Sequence, residues 1–421
     1  MRYLYTVLTY LLRPIALAAV LWRGLRDRRY WLGLGERLGL GPRAGAAETI
    51  WVHAVSLGEV TAAAALIRAL RTRHPDTPLI LTTATLTGRE RAEGLFGDGI
   101  TVRYLPYDTP GSVRRFLARA RPRLAVIMET ELWPNLFHRC RRLGIPIVLA
   151  NARLSVKSVT RYRRFGPLFR DALSLGRLAI AAQSAEDAER FIAVGAQRDR
   201  TRVIGNLKFD IAVDAAVIER GRELRRAYGA ARPVWIAGST HQGEEEAALT
   251  AHAQVLAAVP SALLLLVPRH PERFQAVADL LNRRGLRFER RSSDGEVRPD
   301  CPVLLVDTVG ELASLYASVD VAFVGGSLVP VGGHNLLEPA ALGVPVITGP
   351  YQSNAQEIAD WLLGEGAALQ VADAAGLAAA LEDLLTHPEL RLRSVANGLH
   401  VVAVNRGSLE RLLEIIEPLL A

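Results

Sequence analysis

The residues best suited to chemistry in this chain are acidic and follow apolar runs. Leu124 to Met128 reads as a buried strand and leads into Glu129-Thr130-Glu131-Leu132-Trp133-Pro134-Asn135. Two carboxylates beside a Trp-Pro at the carboxyl end of a strand are poorly explained by solubility. They can hold a base, or oppose positive charge that develops on a substrate. A third carboxylate follows Ile50 to Val55, in Ser56-Leu57-Gly58-Glu59. There the small residues Ser56 and Gly58 allow a sharp turn, and Glu59 lands in the first turn of a helix. It either complements the helix dipole or, if partly desolvated or aided by a neighbour, serves as a general base. Thr82 to Arg89 supplies hydroxyls, Gly88 and the Arg89 guanidinium after another strand, for capping or for ligand binding.

Cations complement these acids. Of 51 basic residues only Lys157 and Lys208 are lysine, and a compact ammonium does what a planar guanidinium cannot. Lys208 lies in Asn206-Leu207-Lys208-Phe209-Asp210, where it could neutralise a phosphate. Gly238-Ser239-Thr240-His241 and Pro268-Arg269-His270-Pro271-Glu272-Arg273 also follow strands and offer anion donors near helix starts. His241 and His270 read as loop histidines rather than metal ligands. Val321 to Gly349 combines a strand, the glycine pairs Gly325-Gly326 and Gly332-Gly333, a helix opening over Asn335 to Leu342, and a strand at Val344 to Thr348. The glycines either make a tight turn or let backbone N–H groups approach a phosphate. Glu338 supplies an acceptor for a ribose diol or a base edge. No Asp-X-Asp pair and no metal-ligand spacing occurs, so no dedicated metal site is expected. Neither a Gly-X-Ser-X-Gly elbow nor a Walker loop is present.

The elements that must carry these residues alternate regularly. Strands are expected at Ile50 to Val55, Leu79 to Thr83, Val102 to Leu105, Leu124 to Met128, Ile145 to Ala150 and Leu178 to Ala182, with helices between most of them. A second series runs through Val234 to Ala237, Leu263 to Val267, Val303 to Val306, Val321 to Val324 and Val344 to Thr348. This is the pattern of two doubly wound α/β domains, joined near Gly205 to Asp210 and a charged helix over Ile211 to Tyr228, with a cleft expected between the strands' carboxyl ends. A chain of 421 residues is too long for one core. Cys140 and Cys301 give no disulfide framework. The net charge of +8 is concentrated where six arginines face one aspartate in residues 1–30, and the nearly balanced remainder argues against nucleic-acid binding. Leu4 to Trp22 is apolar except for Thr6, Thr9 and Arg13. With Pro14 and the arginines that follow, it reads as an uncleaved segment in or dipping into an anionic leaflet.

Together, Ser56 to Glu59, Met128 to Asn135, Asn151-Ala152-Arg153-Leu154-Ser155, Pro268 to Arg273 and Gly332-Gly333-His334-Asn335-Leu336-Leu337-Glu338-Pro339 resemble the Kdo (3-deoxy-D-manno-octulosonic acid) transferases of lipopolysaccharide assembly, over the whole chain. The resemblance implies an α/β GT-B glycosyltransferase of two Rossmann-like domains. It implies a membrane-associated segment over 1–30, an acceptor domain over 31–207 and a CMP-Kdo domain over 208–421 whose last helix packs back on the first domain. It places the enzyme on the cytoplasmic face of the inner membrane, moving Kdo from CMP-Kdo to a hydroxyl of the lipid A precursor with inversion and without a metal or other cofactor. Glu59 is then the general base, and Glu131 and Lys208 stabilise the transition state. CMP contacts fall on Arg269, His270, Gly310, Glu311, Leu312, Asn335, Leu336, Leu337 and Glu338, while Ser56, Gly58, Arg89 and Glu129 lend support. A UDP-sugar epimerase on the same fold and a non-catalytic, membrane-attached nucleotide-sugar binder are the alternatives.

Overall fold

Runs of apolar residues without polar alternation become central strands covered on both faces. The computed structural model describes residues 2–44, 47–164, 166–173, 177–211, 213–293 and 297–420. The chain forms two units, Met1–Asp210 with Gly407–Ala421, and Ile211–Arg406. In the first, β1 (Thr49–His53), β2 (Leu79–Thr83), β3 (Thr101–Tyr104), β4 (Pro122–Met128), β5 (Ile147–Ala152), β6 (Leu178–Ala182) and β7 (Thr201–Val203) make a parallel sheet ordered β3-β2-β1-β4-β5-β6-β7. Its strand order reverses between β1 and β4, the position where open α/β sheets bind ligands beyond their carboxyl ends. Glu59 follows β1, and Glu129 and Glu131 follow β4.

Alternate residues of β1 enter different cores. Ile50 and Val52 pack with Leu66 and Leu70 of helix Leu57–Arg73 and with Leu412, Leu413 and Ile416 of helix Ser408–Leu420. Trp51 packs on the other face with Phe116 and Phe137. The last helix is held to this unit by Asp210, which accepts from Gly407 N at 3.0 Å and Leu409 N at 2.7 Å, and by Arg411, which donates to Ile204 O.

The second unit contains β8 (Val234–Thr240), β9 (Leu263–Pro268), β10 (Phe288–Arg290), β11 (Val303–Leu305), β12 (Val321–Val324), β13 (Val346–Thr348) and β14 (Ala368–Gln370), in the order β10-β11-β9-β8-β12-β13-β14 and again parallel. Its reversal lies between β8 and β12, which bring Ser239 to His241 next to Gly325 to Leu328.

Several expected boundaries move. The first unit ends at Asp210, and the charged helix starts only at Ala215, where Asp214 accepts from Ala216 N. The helix expected over Asn335 to Leu342 shortens to Leu337–Ala341, because Asn335 Oδ1 accepts from Leu337 N and turns the chain before it. The strands β7, β10 and β14 leave no mark in the sequence pattern; each has three residues at a sheet edge, too few for a period to register.

The N-terminal helix runs unbroken from Arg2 to Arg26 through Pro14. It is long and apolar enough to cross a membrane, with a mean hydropathy of 1.7 over its most apolar window.

Candidate functional site

In the first unit the acids are gathered by local geometry. Ser56 caps helix Leu57–Arg73 by accepting from Glu59 N at 3.4 Å. Glu59 turns back, Oε2 accepting from Val55 N at 2.8 Å and Oε1 from Ser56 Oγ at 3.1 Å. Glu59 thus reaches back over the helix start, to the N–H one residue before the Ser56 cap and to the cap's own hydroxyl, so the helix-start reading of Glu59 is realised. Two of the carboxylate's acceptor positions are taken, and a carboxylate has about four. Burial raises its pKa against the Val55 N–H, and the Glu129 charge raises it further. The expected sharp turn at Gly58 does not need glycine, since a Cβ there would meet only Ser56 Oγ at 3.9 Å. The Ser56 cap makes the turn instead.

Beyond β4 the backbone is strained. Glu129 has φ +54, and Asn151 at the end of β5 has φ +53, the left-handed region that side chains other than glycine occupy at a cost of roughly 1–2 kcal/mol. From this position Glu129 Oε1 accepts from Lys208 Nζ at 2.9 Å, both side chains being largely buried. Lys208 meets a carboxylate of its own unit, where the sequence suggested a phosphate. Its turn is fixed by three amides. Asn151 Oδ1 accepts from Leu207 N at 2.9 Å, Asn206 Oδ1 accepts from Lys208 N at 3.0 Å, and Gln183 bridges the Asn151 carbonyl and the Asn206 carboxamide. Glu131 completes the group. Burial, then the charges of Glu59 and Glu129, push its carboxyl up to about 7, with the Trp133 indole opposing. Three carboxylates and one ammonium thus share one partly desolvated place.

Arg89 does not join them. It is ion-paired to Glu36 at 3.0 Å and Glu93 at 2.7 Å and lies over the Tyr104 ring, because helix Leu86–Phe96 carries it towards β3. The hydroxyls of Thr83 and Thr85 bond Val55 O, with Thr85 capping that helix. The side chain of Lys157 lies outside the described residues.

In the second unit the keystone is Glu244, a residue the sequence reading did not single out. Fully buried at the start of helix Glu244–Ala258, it accepts from His241 N, Gly326 N, Ser327 N and Leu328 N at 2.7–3.0 Å. The N–H groups of the Gly325-Gly326 loop are therefore engaged by the protein's own carboxylate instead of remaining open to a phosphate. Glycine is required there by packing, as a Cβ on Gly325 would fall 2.6 Å from Ser239 O. A Glu-Glu-Glu run at a helix start is the available signal, but it does not tell that Glu244 takes the loop N–H groups while Glu245, equally buried, pairs with Arg273.

Around this lock sit His241, His270 and His334. His241 Nε2 and His334 Nε2 are 2.9 Å apart with stacked rings, and His270 meets His241 edge-on. One imidazole must donate and the other accept, so at least the accepting ring is neutral; burial lowers the pKa of each, His334 to about 4. The Arg269 guanidinium is exposed and makes no hydrogen bond or ion pair among the described residues. Beside it a cavity of about 140 Å³ is lined by Val267, Pro268, Arg269, Gly310, Glu311, Leu312 and Leu315. The Glu311 side chain is committed to Arg291 and Thr308. Leu336 and Leu337 are core residues. Burial raises the Glu338 carboxyl. Among the described residues no three of His, Cys, Asp and Glu are arranged to hold a metal ion.

Comparison with known proteins follows the same division. A family model described as 3-deoxy-D-manno-octulosonic-acid transferase matches residues 33–211, and one described as glycosyl transferases group 1 matches 285–401. The chain is similar to the 3-deoxy-D-manno-octulosonic acid transferase of Haemophilus influenzae, 41% identical over 422 residues, covering 100% of this chain and 99% of that protein. It is likewise similar to that of Bordetella pertussis, 41% identical with 98% of each covered. The crystal structure of UDP-GlcNAc 2-epimerase from Neisseria meningitidis bound to UDP-GlcNAc aligns with a TM-score of 0.50 and 13% identity, over 88% of this chain and 100% of that one, a likeness of fold alone.

Two consequences can be measured. The Glu131 carboxyl binds its proton more tightly folded than unfolded, so its contribution to stability is present below pH 4.5 and lost as pH rises through about 7. Glu131→Gln should raise stability at alkaline pH by roughly 1–3 kcal/mol and leave it unchanged in acid, read from urea midpoints; equal midpoints at high pH contradict this. Glu244→Gln puts an N–H₂ group against backbone donors and should destabilise the second unit by about 2–4 kcal/mol. An unchanged unfolding midpoint would refute the lock.

Proposed function

The chain belongs to the 3-deoxy-D-manno-octulosonic acid (Kdo) transferase family, and from that premise we propose that it moves Kdo from CMP-Kdo to a hydroxyl of the lipid A precursor, with inversion at the anomeric carbon. Kdo transfer in lipopolysaccharide synthesis follows from the family; this donor, this acceptor and the residue roles are our reading. The observation that carries it is the gathering of Glu59, Glu129, Glu131 and Lys208 at the carboxyl edge of one sheet.

In this reading the acceptor oxygen attacks the anomeric carbon as the bond from that carbon to the CMP phosphate oxygen breaks. The bonding pair leaves with CMP, and the acceptor proton passes to Glu59. Its raised pKa makes it a better base than an exposed carboxylate, while Val55 N and Ser56 Oγ hold it in place. Departure of CMP leaves an oxocarbenium-like carbon, which ionised Glu131 stabilises. Lys208 pairs with Glu129 and compensates the crowding of like charges.

The second unit takes the nucleotide. Arg269 is the cation available to the phosphate, the apolar slot beside Gly310 to Leu312 suits the cytosine, and Asn335 to Glu338 suit the ribose. With the Arg269 guanidinium for the leaving charge, the scheme calls for no metal. The apolar, arginine-flanked N-terminal helix supports placement on the cytoplasmic face of the inner membrane, where a lipid acceptor resides.

Incubation of the purified protein with CMP-Kdo and the lipid acceptor should release CMP and add the mass of Kdo to the lipid. Glu59→Gln should retain CMP binding and lose about 10²–10⁴-fold in transfer. Transfer near the wild-type rate by that variant would remove Glu59 as base, and the absence of a Kdo-lipid product from the wild type would refute the reading as a whole.

A further inference from the structure

The N-terminal helix presents its polar residues to the protein and its apolar residues outward. Tyr5, Thr6, Thr9, Arg13, Ala16, Leu17, Val20 and Gly24 are at least half-buried and recur at helical spacing, forming one stripe. Every polar side chain between Leu4 and Trp22 except Tyr10 lies on it, which accounts for an arginine in the middle of an apolar run. The opposite face carries Leu4, Val7, Leu8, Leu11, Ile15 and Trp22, each more than half exposed. No residue of the most apolar window is fully buried.

Both ends of the helix are fixed to the same unit. Near its start, Tyr5 Oη donates to Asp108 Oδ2 and Thr6 Oγ1 to Asn135 Oδ1, each at 2.9 Å, and Asp108 is buried. Near its end, Gly24 packs under Trp31 so closely that a Cβ would fall 1.8 Å from the indole nitrogen, and that nitrogen donates to Leu21 O. Arg29 adds an ion pair to Glu90 at 2.7 Å. These anchors are about 27 Å apart along the axis at 1.5 Å per residue, close to the hydrocarbon thickness of a bilayer, about 30 Å.

From this geometry we infer that Arg2–Arg26 lies flat in the surface of one leaflet, apolar face in lipid and polar stripe on the protein, instead of crossing the membrane. A crossing helix would carry Tyr5 and Thr6 to the far side, strip Asp108 of its hydroxyl donor, and set Thr9 and Arg13 among acyl chains. A flat helix keeps every one of these contacts and covers the outward apolar face. Charge fits the same occupant: Arg23, Arg26 and Arg28 are exposed at the helix end and make no ion pair among the described residues, the arrangement that anionic headgroups attract. Trp22, with the Arg26 guanidinium 4.6 Å from its ring, sits where an interfacial aromatic belongs. Asn135, which receives Thr6, opens helix Pro134–Leu143 directly after the loop bearing Glu129 and Glu131. The lipid-seated helix and the carboxylate group are thereby parts of one block, and the inference rests on the reading of a membrane-borne acceptor.

The test attaches an environment-sensitive fluorophore to Leu4→Cys, Leu11→Cys, Ile15→Cys and Trp22→Cys, one at a time in the full chain. All four sites are exposed, and both native cysteines are buried, so folding and selective labelling are preserved. With vesicles of phosphatidylethanolamine and phosphatidylglycerol, all four labels should shift to the blue and be quenched alike by a shallow nitroxide lipid, more than by a deep one. A label on Thr9→Cys, on the protein-facing stripe, should change least. Deep quenching at Leu11 and Ile15 with shallow quenching at Leu4 and Trp22 is the profile of a spanning helix and would overturn the inference while leaving membrane association intact. No shift at any site would remove membrane association itself, and the inference with it. Shifts that appear without vesicles as protein concentration rises would assign the face to a second copy of the chain and likewise overturn it.

Discussion

The N-terminal unit depends on one lysine set among three glutamates. Like charges that close would drive one another to protonate, and an ammonium 2.9 Å from Glu129 limits how far that goes. The pair is costly to hold. It requires left-handed backbone at Glu129, and a three-amide network that secures the turn bearing Lys208. Burial alone would favour neutral groups there, and removing one partner of a buried pair leaves the other uncompensated. The arrangement is thus more expensive than packing needs, as expected where strained geometry and crowded charge serve a reaction.

The C-terminal unit solves a different problem with the buried carboxylate of Glu244. Glu244 gathers four backbone N–H groups from two loops and so sets the spacing between the ends of β8 and β12. Ser239, with φ +56, lies on the same edge. Glycine at 325 lets the loops close over the carboxylate, and the histidine pair rests on the loops so joined. The loop's rigidity comes from within the protein, and the exposed Arg269 remains the group open to an external anion.

Much of this was legible in the residues. Central strands buried on both faces are continuous apolar runs, so the doubly wound units could be read directly, and acids placed after strands fell at carboxyl edges as the topology requires. What could not be read depends on direction. Whether Lys208 meets a phosphate or Glu129, whether Arg89 turns to a site or to Glu36, and which glutamate of 244–246 takes the loop N–H groups are settled by backbone angles and long-range packing that spacing does not encode. The three-residue strands near the sheet edges are too short to show a period. Thr6, Thr9 and Arg13 are an intermediate case: their steps of three and four announce a polar stripe, but only Asp108 and Asn135 tell that it faces protein.

Coupling among the carboxylates is most directly tested by the pH dependence of kcat/KM for Kdo transfer, in the wild type and in Glu129→Gln. Glu131 must lose its proton to oppose positive charge, so the wild-type rate should fall as pH drops through about 7. Glu129→Gln removes one repelling carboxylate and releases the Lys208 charge towards the others, and both effects should move that acid limb to lower pH. An acid limb at the same pH in both proteins would contradict the account.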